Sequence, residues 1–248
     1  MNQQIKWHIG CSGFLYKEWR DVFYPPLLPQ KQWFQFYSKQ FSTIELNVTF
    51  YQFPKLASLQ KWYQESPDDF LFSLKVPRTI THYKKFADTK QLLADFYGIL
   101  KEGLGSKLGT VLFQLPPQFQ YSQEKLELII ASVDDAFHNA IEFRHKSWWQ
   151  EKVYQTLASH NISFSGSSHP KLPDAMIVNT SRVYYRFHGV PDLFYSAYSA
   201  DYLKEKANLI LNNDSIQEAF LYFNNTASAA ALENARWMID YVATKKQE

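Results

Sequence analysis

Short apolar stretches recur along this chain at intervals of roughly 25–35 residues, and a helical pattern follows almost every one. Side-chain alternation predicts strands at residues 5–10, 43–47, 70–75, 110–114, 140–144, 162–165, 183–188 and 219–224. Helices are predicted at 32–40, 56–65, 89–102, from Ser122 onward, and at 149–159, 199–211 and 227–242. Pro77 and Pro116 stop the third and fourth strands, Gly103 closes the helix between them, and Ser122 is placed to cap the next helix. Eight strands alternating with about eight helices, with no linker of altered composition, predict one α/β domain over residues 1–248. Its expected form is a parallel eight-stranded (β/α)8 barrel of the TIM type. An open doubly wound sheet is the competing arrangement. Its nucleotide-binding loops need glycine, and the eight glycines here form neither a dinucleotide fingerprint nor a phosphate loop.

The strands carry a second regularity. In the fifth, Ile141 and Phe143 point one way while Ala140, Glu142 and Arg144 point the other. A carboxylate and a guanidinium on one buried face are costly unless they pair or meet a ligand. A buried ion pair that only fixes packing is one reading of that stretch, but the pattern recurs. Polar residues stand on the inward parity at the C-terminal ends of the other strands: Ser12, Glu45, Asn47, Lys75, Gln114, Arg186, His188, Tyr222 and Asn224. In barrels of this type that end holds the chemistry, so a polar ligand pocket is expected there.

Composition narrows the partners. Twenty-six basic against 24 acidic residues give a net charge of +2, too near neutral for a protein that wraps a polyanion. Cys11 is the lone cysteine, which excludes an internal disulfide framework and fits a reducing compartment. Residues 1–7 lack the apolar core of a secretory leader, and no apolar run reaches membrane-spanning length. A cytoplasmic protein without a membrane partner is therefore expected.

Several segments are familiar together. They are Gly10-Cys-Ser-Gly-Phe-Leu-Tyr16 with Trp19, Ile44-Glu-Leu-Asn-Val-Thr-Phe-Tyr51 with Pro54, and Phe72-Ser-Leu-Lys75 with Thr81 and His82. Further on come Leu112-Phe-Gln-Leu-Pro-Pro117, Glu142-Phe-Arg-His-Lys-Ser-Trp148, Tyr185-Arg-Phe-His-Gly189 with Tyr198, and Tyr222-Phe-Asn-Asn225 with Asn234 and Ala235. On these the chain resembles the YecE-like family, domain of unknown function seventy-two, over essentially its whole length. The resemblance implies a TIM-type barrel distantly akin to sugar isomerases and metal-dependent apurinic endonucleases; it implies no established reaction. One departure stands out. After the sixth strand the family tends to carry an aspartate and a proline, where this chain has Ser165-Gly-Ser-Ser-His-Pro170.

The candidate chemistry follows from the residue types. Glu45 and Glu142 are placed to share acid/base work across a pocket, as paired carboxylates do in glycoside hydrolysis. The alternative is that each is neutralised, Glu45 by Lys75 and Glu142 by Arg144 or Arg186. Lys75 is a Schiff-base or general-base candidate if desolvated, and otherwise a counter-ion. Arg144 and Arg186 offer planar forks for phosphate or carboxylate. Asn47, Gln114, Asn224 and Asn225 are suited to hydroxyls, and Tyr16, Tyr51, Trp148 and Tyr198 to stacking on a ring. Ser12, His82 and His188 complete the expected ligand-binding set, and Cys11 is read as packing. No cofactor is expected. A divalent metal on His82, His145, His188, Glu45 or Glu142 is opposed by the basic neighbours and by the lack of an H-E-x-x-H motif. The favoured function is an acid/base enzyme, isomerase- or hydrolase-like, for a small anionic or polyhydroxylated compound such as a sugar phosphate. A nucleic-acid-binding or endonuclease-like protein is one alternative, since residues 75–85 carry basic and aromatic side chains but no acid. A non-catalytic ligand-binding barrel is the other.

Overall fold

Strand formation follows the apolar stretches closely, and the strands line up in a single parallel sheet. In the computed structural model, which describes residues 4–245, these are β1 (Lys6–Cys11), β2 (Thr43–Leu46), β3 (Leu71–Lys75), β4 (Leu108–Gln114) and β5 (Asn139–Glu142). They continue as β6 (Ile162–Phe164), β7 (Gly166–Ser168), β8 (Arg182–Phe187) and β9 (Glu218–Phe223). Residues 1–3, part of the segment read above for a leader, and residues 246–248, the end of the expected domain, lie outside the described residues. The sheet order is β6-β5-β4-β3-β2-β1-β9-β8-β7, so it curls into a nearly closed barrel whose two ends, β6 and β7, are separated in the chain by Ser165 alone.

That junction corrects the expected strand number: the described residues form nine strands rather than eight. β6 pairs back on β5, and the Ser165 N–H still donates to Ile141 O at 2.8 Å. The chain then re-enters the sheet as β7, paired forward with β8. Gly166 lets the chain pass between neighbours, because a Cβ there would meet Ala175 O and Tyr185 Cδ2 at 2.7 Å each.

Helices α1 (Trp33–Ser38), α3 (Leu56–Glu65), α4 (Lys90–Leu104), α5 (Gln123–Ser132), α6 (Glu151–Ser159), α7 (Ala200–Leu211) and α8 (Ala230–Lys245) fall between and after the strands, with a single-turn helix α2 (Val48–Tyr51) after β2. Serine hydroxyls accept N–H groups at two helix starts, Ser122 from Lys125 and Ser199 from Tyr202, which satisfies donors the first turn leaves unpaired. Side-chain alternation sorts the strand residues into two layers. Phe72, Leu74, Val111, Phe113, Ile141 and Phe143 join the main core, while Leu112, Ala140, Tyr184, Phe220 and Tyr222 form a separate cluster on the opposite parity, inside the barrel.

The strands end early enough to leave their polar residues at the rim. β2 stops at Leu46, β5 at Glu142, β8 at Phe187 and β9 at Phe223, so Asn47, Arg144, His188 and Asn224 stand one or two residues past the last strand residue. At the start of the barrel the sheet is tight: a Cβ on Gly10 would lie 2.3 Å from the Thr43 carbonyl oxygen of β2. The backbone of β2 would have to move, so Gly10→Ala is expected to cost about 1–3 kcal/mol of stability. Urea unfolding measures it, and an unchanged midpoint would refute the close approach.

Candidate functional site

The polar strand ends converge in two tiers. The lower tier is an ion cluster, buried except at Arg144. Arg186 of β8 is 1% exposed and forms a bidentate fork with Glu45 of β2, Nε to Oε2 at 2.9 Å and Nη2 to Oε1 at 2.7 Å. Its remaining nitrogen, Nη1, donates to Glu142 Oε2 at 2.6 Å. Glu142 Oε1 is ion-paired with the Arg144 guanidinium through Nε, without hydrogen-bond geometry. Glu45 is saturated by three further donors, Ser12 Oγ and Tyr184 Oη at 2.7 Å each and Asn47 Nδ2 at 3.3 Å. Two carboxylates and two guanidiniums thus balance, with Glu45, Glu142 and Arg186 buried and Arg144 half-buried on the cavity side. The partner foreseen for Glu45 was Lys75. The structure instead gives both oxygens to Arg186, because only a fork-shaped donor meets both at once.

Burial alone would raise the Glu142 carboxyl, but the guanidiniums of Arg144 and Arg186 outweigh it and hold the group well below the usual carboxylate range. Burial and then Arg144 push the His188 ring well below its ordinary value too, so it stays neutral. That fixes its tautomer. Arg144 Nη2 stands 3.0 Å from His188 Nε2 and can only donate, so Nε2 accepts and the ring proton sits on Nδ1. Asn224 Nδ2 stands 2.9 Å from Nδ1, and turning that amide over puts its oxygen where it can accept the ring proton.

Above this floor opens a cavity of about 620 Å³. Lys75, Gln114, Arg144, Arg186, Asn47 and Asn224, inward by strand parity, line it together with Tyr16, Tyr51 and His82. Lys75 Nζ donates to Gln114 Oε1 at 2.6 Å and lies 3.9 Å above the Phe50 ring. Burial first, and then the Arg186 guanidinium, bring its pKa down to about 7. His82 is lowered to about 4 by burial and then by Lys75, so its ring is neutral at pH 7. Arg78 stands at the rim with its guanidinium 5.5 Å from the ring centres of both Tyr51 and Tyr83, which are 68% and 66% exposed. No carboxylate is among the side chains lining this cavity. A cleft of about 980 Å³ at the opposite end, against Ile5 and Trp7, takes in none of the predicted residues.

Five predicted ligand contacts do not line this cavity: Ser12 and His188 are buried in the lower tier, and three more lie elsewhere. Trp148 is fully buried, stacked 4.0 Å from Phe143, with its indole N–H on Phe119 O. The chain has by then left β5 for a tight turn at Lys146–Trp148, where strand alternation no longer applies. Asn225 has the outward parity, and its amide ties Ser196 O to Asn234 Oδ1. The Tyr198 hydroxyl accepts the Gly189 N–H at 2.7 Å, bracing a loop rather than facing the cavity. Cys11 is buried, as packing requires, and burial pushes its thiol up. Sequence reasoning missed Phe50, Tyr83, Phe194 and Thr226 on the cavity wall, and it noted Arg78 only as part of a basic loop. The donor set does not fit a divalent cation: among the described residues no three His, Cys, Asp or Glu side chains group as metal ligands, and both carboxylates are already taken by guanidiniums.

The comparisons with known proteins agree on a family. The profile described as "Protein of unknown function DUF72" matches residues 8–248. The UPF0759 protein YunF of Bacillus subtilis (strain 168) is 26% identical over 272 residues, spanning 94% of this chain and 93% of its own. The UPF0759 protein YecE of Escherichia coli (strain K12) is 28% identical over 114 residues, 46% of this chain and 42% of its own. A solved DUF72 family protein of Thermotoga maritima MSB8 matches with a TM-score of 0.86 at 28% identity, covering 96% of this chain and 99% of that one. Another, from Enterococcus faecalis V583, shares the fold with a TM-score of 0.82 at 20% identity, covering 96% and 95%.

The ion cluster makes a paired prediction. Arg186→Met strands two buried carboxylates and is expected to cost about 3–5 kcal/mol. Glu142, whose folded pKa is depressed, contributes stability that is fully present above its unfolded value, about 4.3, and is lost as pH falls through the folded pKa. Unfolding free energies followed down from pH 6 should therefore show a flatter acid limb in Glu142→Gln than in the parent. Parallel limbs would refute the assignment.

Proposed function

The chain belongs to the DUF72 family, and from the geometry of its barrel mouth we propose that it is an enzyme acting on a small anionic, hydroxyl-bearing compound of the sugar-phosphate kind. One observation carries the reading: four basic side chains, Lys75, Arg78, Arg144 and Arg186, line a concave cavity that no carboxylate lines. Guanidiniums in a partly desolvated cleft attract an anion strongly, since little water competes for their donors. Arg144 and Arg78 would take the charged group. Asn47, Gln114 and Asn224 supply amides for hydroxyls, and Tyr51 and Tyr83 give the rim two exposed ring faces.

The acid/base role moves with this reading. Glu45 and Glu142 were the candidates, but their oxygens already accept from Arg186, Tyr184 and Ser12, Glu142 is ion-paired with Arg144 as well, and both are fully buried. They serve better as positioning groups that hold the floor. Lys75, with a pKa of about 7 on the cavity wall, is the group able to take up and release a proton near neutrality.

Thermal melts with inorganic phosphate, ribose 5-phosphate and uncharged ribose test the reading. The two anions are expected to raise Tm, by the equivalent of about 2.7 kcal/mol at one hundred times Kd, while ribose at the same concentration shifts it less. Arg78→Ala removes a rim charge that packs only on tyrosine rings, so it should weaken phosphate binding about tenfold and leave the unliganded Tm in place. Equal shifts for ribose and its phosphate, or none for either, would overturn it.

A further inference from the structure

Lys75 ends β3 on the cavity wall, and its surroundings suit an amine better than an ammonium. An ammonium carries three N–H donors. Among the described residues Gln114 Oε1 is the hydrogen-bond acceptor for Nζ, and no carboxylate lies within ion-pair distance of it. Gln114 is held in that orientation, because its Nε2 donates to Leu115 O at 2.8 Å. The charged and titratable groups around Nζ come from four elements: Glu45 from β2, Glu142 and Arg144 at the end of β5, Arg186 from β8, and Arg78 and His82 from the loop after β3. The carboxylates among them are committed to guanidiniums.

We propose that Lys75 is a nucleophile that forms an imine with the aldehyde, ketone or 2-oxo-acid group of an anionic substrate whose charge is held by Arg78 and Arg144. This rests on the reading of the cavity as an anion site. The neutral Nζ attacks the carbonyl carbon, the N–C bond forms, and the carbonyl π pair moves to oxygen. A proton passes from nitrogen to that oxygen to give the carbinolamine. A second proton, taken up from solvent, releases the hydroxyl as water and leaves a protonated imine, so the net change is uptake of one proton and loss of one water with no redox partner.

The site suits that product atom by atom. A protonated imine keeps a single N–H, and Gln114 Oε1 is the single acceptor in place for it. Its positive charge stays over the Phe50 ring face, 3.9 Å from Nζ. With a pKa of about 7, roughly half of Lys75 is neutral at pH 7, against on the order of one in a thousand for an exposed lysine of pKa about 10.4.

The test is reductive trapping on the full chain. Dihydroxyacetone phosphate, and separately glyoxylate, is incubated with the protein and sodium cyanoborohydride, and the product is read by intact mass and peptide mapping. At pH 7 we expect one adduct per chain on Lys75, formed at least about tenfold faster than on any exposed lysine. Its rate should rise through pH 7, level off above, and fall when inorganic phosphate is added. Lys75→Arg should give no such adduct. Gln114→Glu, which puts a carboxylate beside Nζ, should move the midpoint to higher pH. Adducts spread over exposed lysines such as Lys84 and Lys85, or no adduct with either probe, would overturn the proposal. If phosphate still raises the Tm of the parent and of Lys75→Arg while Lys75 stays unlabelled, the imine fails and the anion site stands.

Discussion

The fork of Arg186 on Glu45 and its third bond to Glu142 hold this barrel mouth together. Three strands spread around the sheet, β2, β5 and β8, each send one charged group to a common point from which water is excluded. Such a cluster gains little net stability, because desolvating four charges costs nearly as much as their attraction returns. What it provides is position. No member can leave without stranding an unpaired charge, so each strand end is locked relative to the others, and the cavity above rests on a rigid floor.

The cluster also sets the protonation of everything near it. Burial and the arginines lower the basic groups around the mouth together: Lys75 to about 7, His82 and His169 to about 4, and His188 well below its ordinary value. Arginine alone keeps its charge in such a place. The cavity therefore combines permanent guanidinium charge with amine and imidazole groups that are neutral near pH 7. Under the proposed function, charge binding and proton transfer thus fall to different residues, which a cavity lined by ordinary lysines would not allow.

Much of this was legible in the sequence because two periodicities carry it. Alternation along the strands separated Leu112, Ala140 and Tyr184 from their outward neighbours and put Glu45, Lys75, Glu142 and Arg186 on one inner face. Helix α3 lies at residues 56–65 as patterned, and the Ser122 cap forms. Pairing was not legible. Glu45 and Arg186 are 141 residues apart, and nothing local says that a fork from β8 reaches it before Lys75 does from the adjacent strand. Parity also ends where the strand ends, which is why Trp148 and Asn225 were misplaced and why Phe50, on a single-turn helix, was missed. The split strand hid for a related reason. Ser165 to Ser168 has the composition of a loop, yet these four residues are buried in the barrel wall.

That same serine-rich segment bears on what the mouth can bind. Family resemblance leads one to expect an aspartate just after the sixth strand, and this chain has Ser165-Gly-Ser-Ser-His-Pro170. His169 shows what a charge there would feel: after burial, Arg144 is the strongest influence on its ring, which stands 5.7 Å from that of His188. A carboxylate in this place would compete with Glu142 for Arg144 and draw that guanidinium away from the cavity. It would also favour protonation of His188 and so undo the tautomer that Arg144 imposes. A neutral imidazole does neither. The departure therefore leaves Arg144 with Glu142 as its carboxylate partner and keeps a second acid away from the guanidinium that lines the cavity.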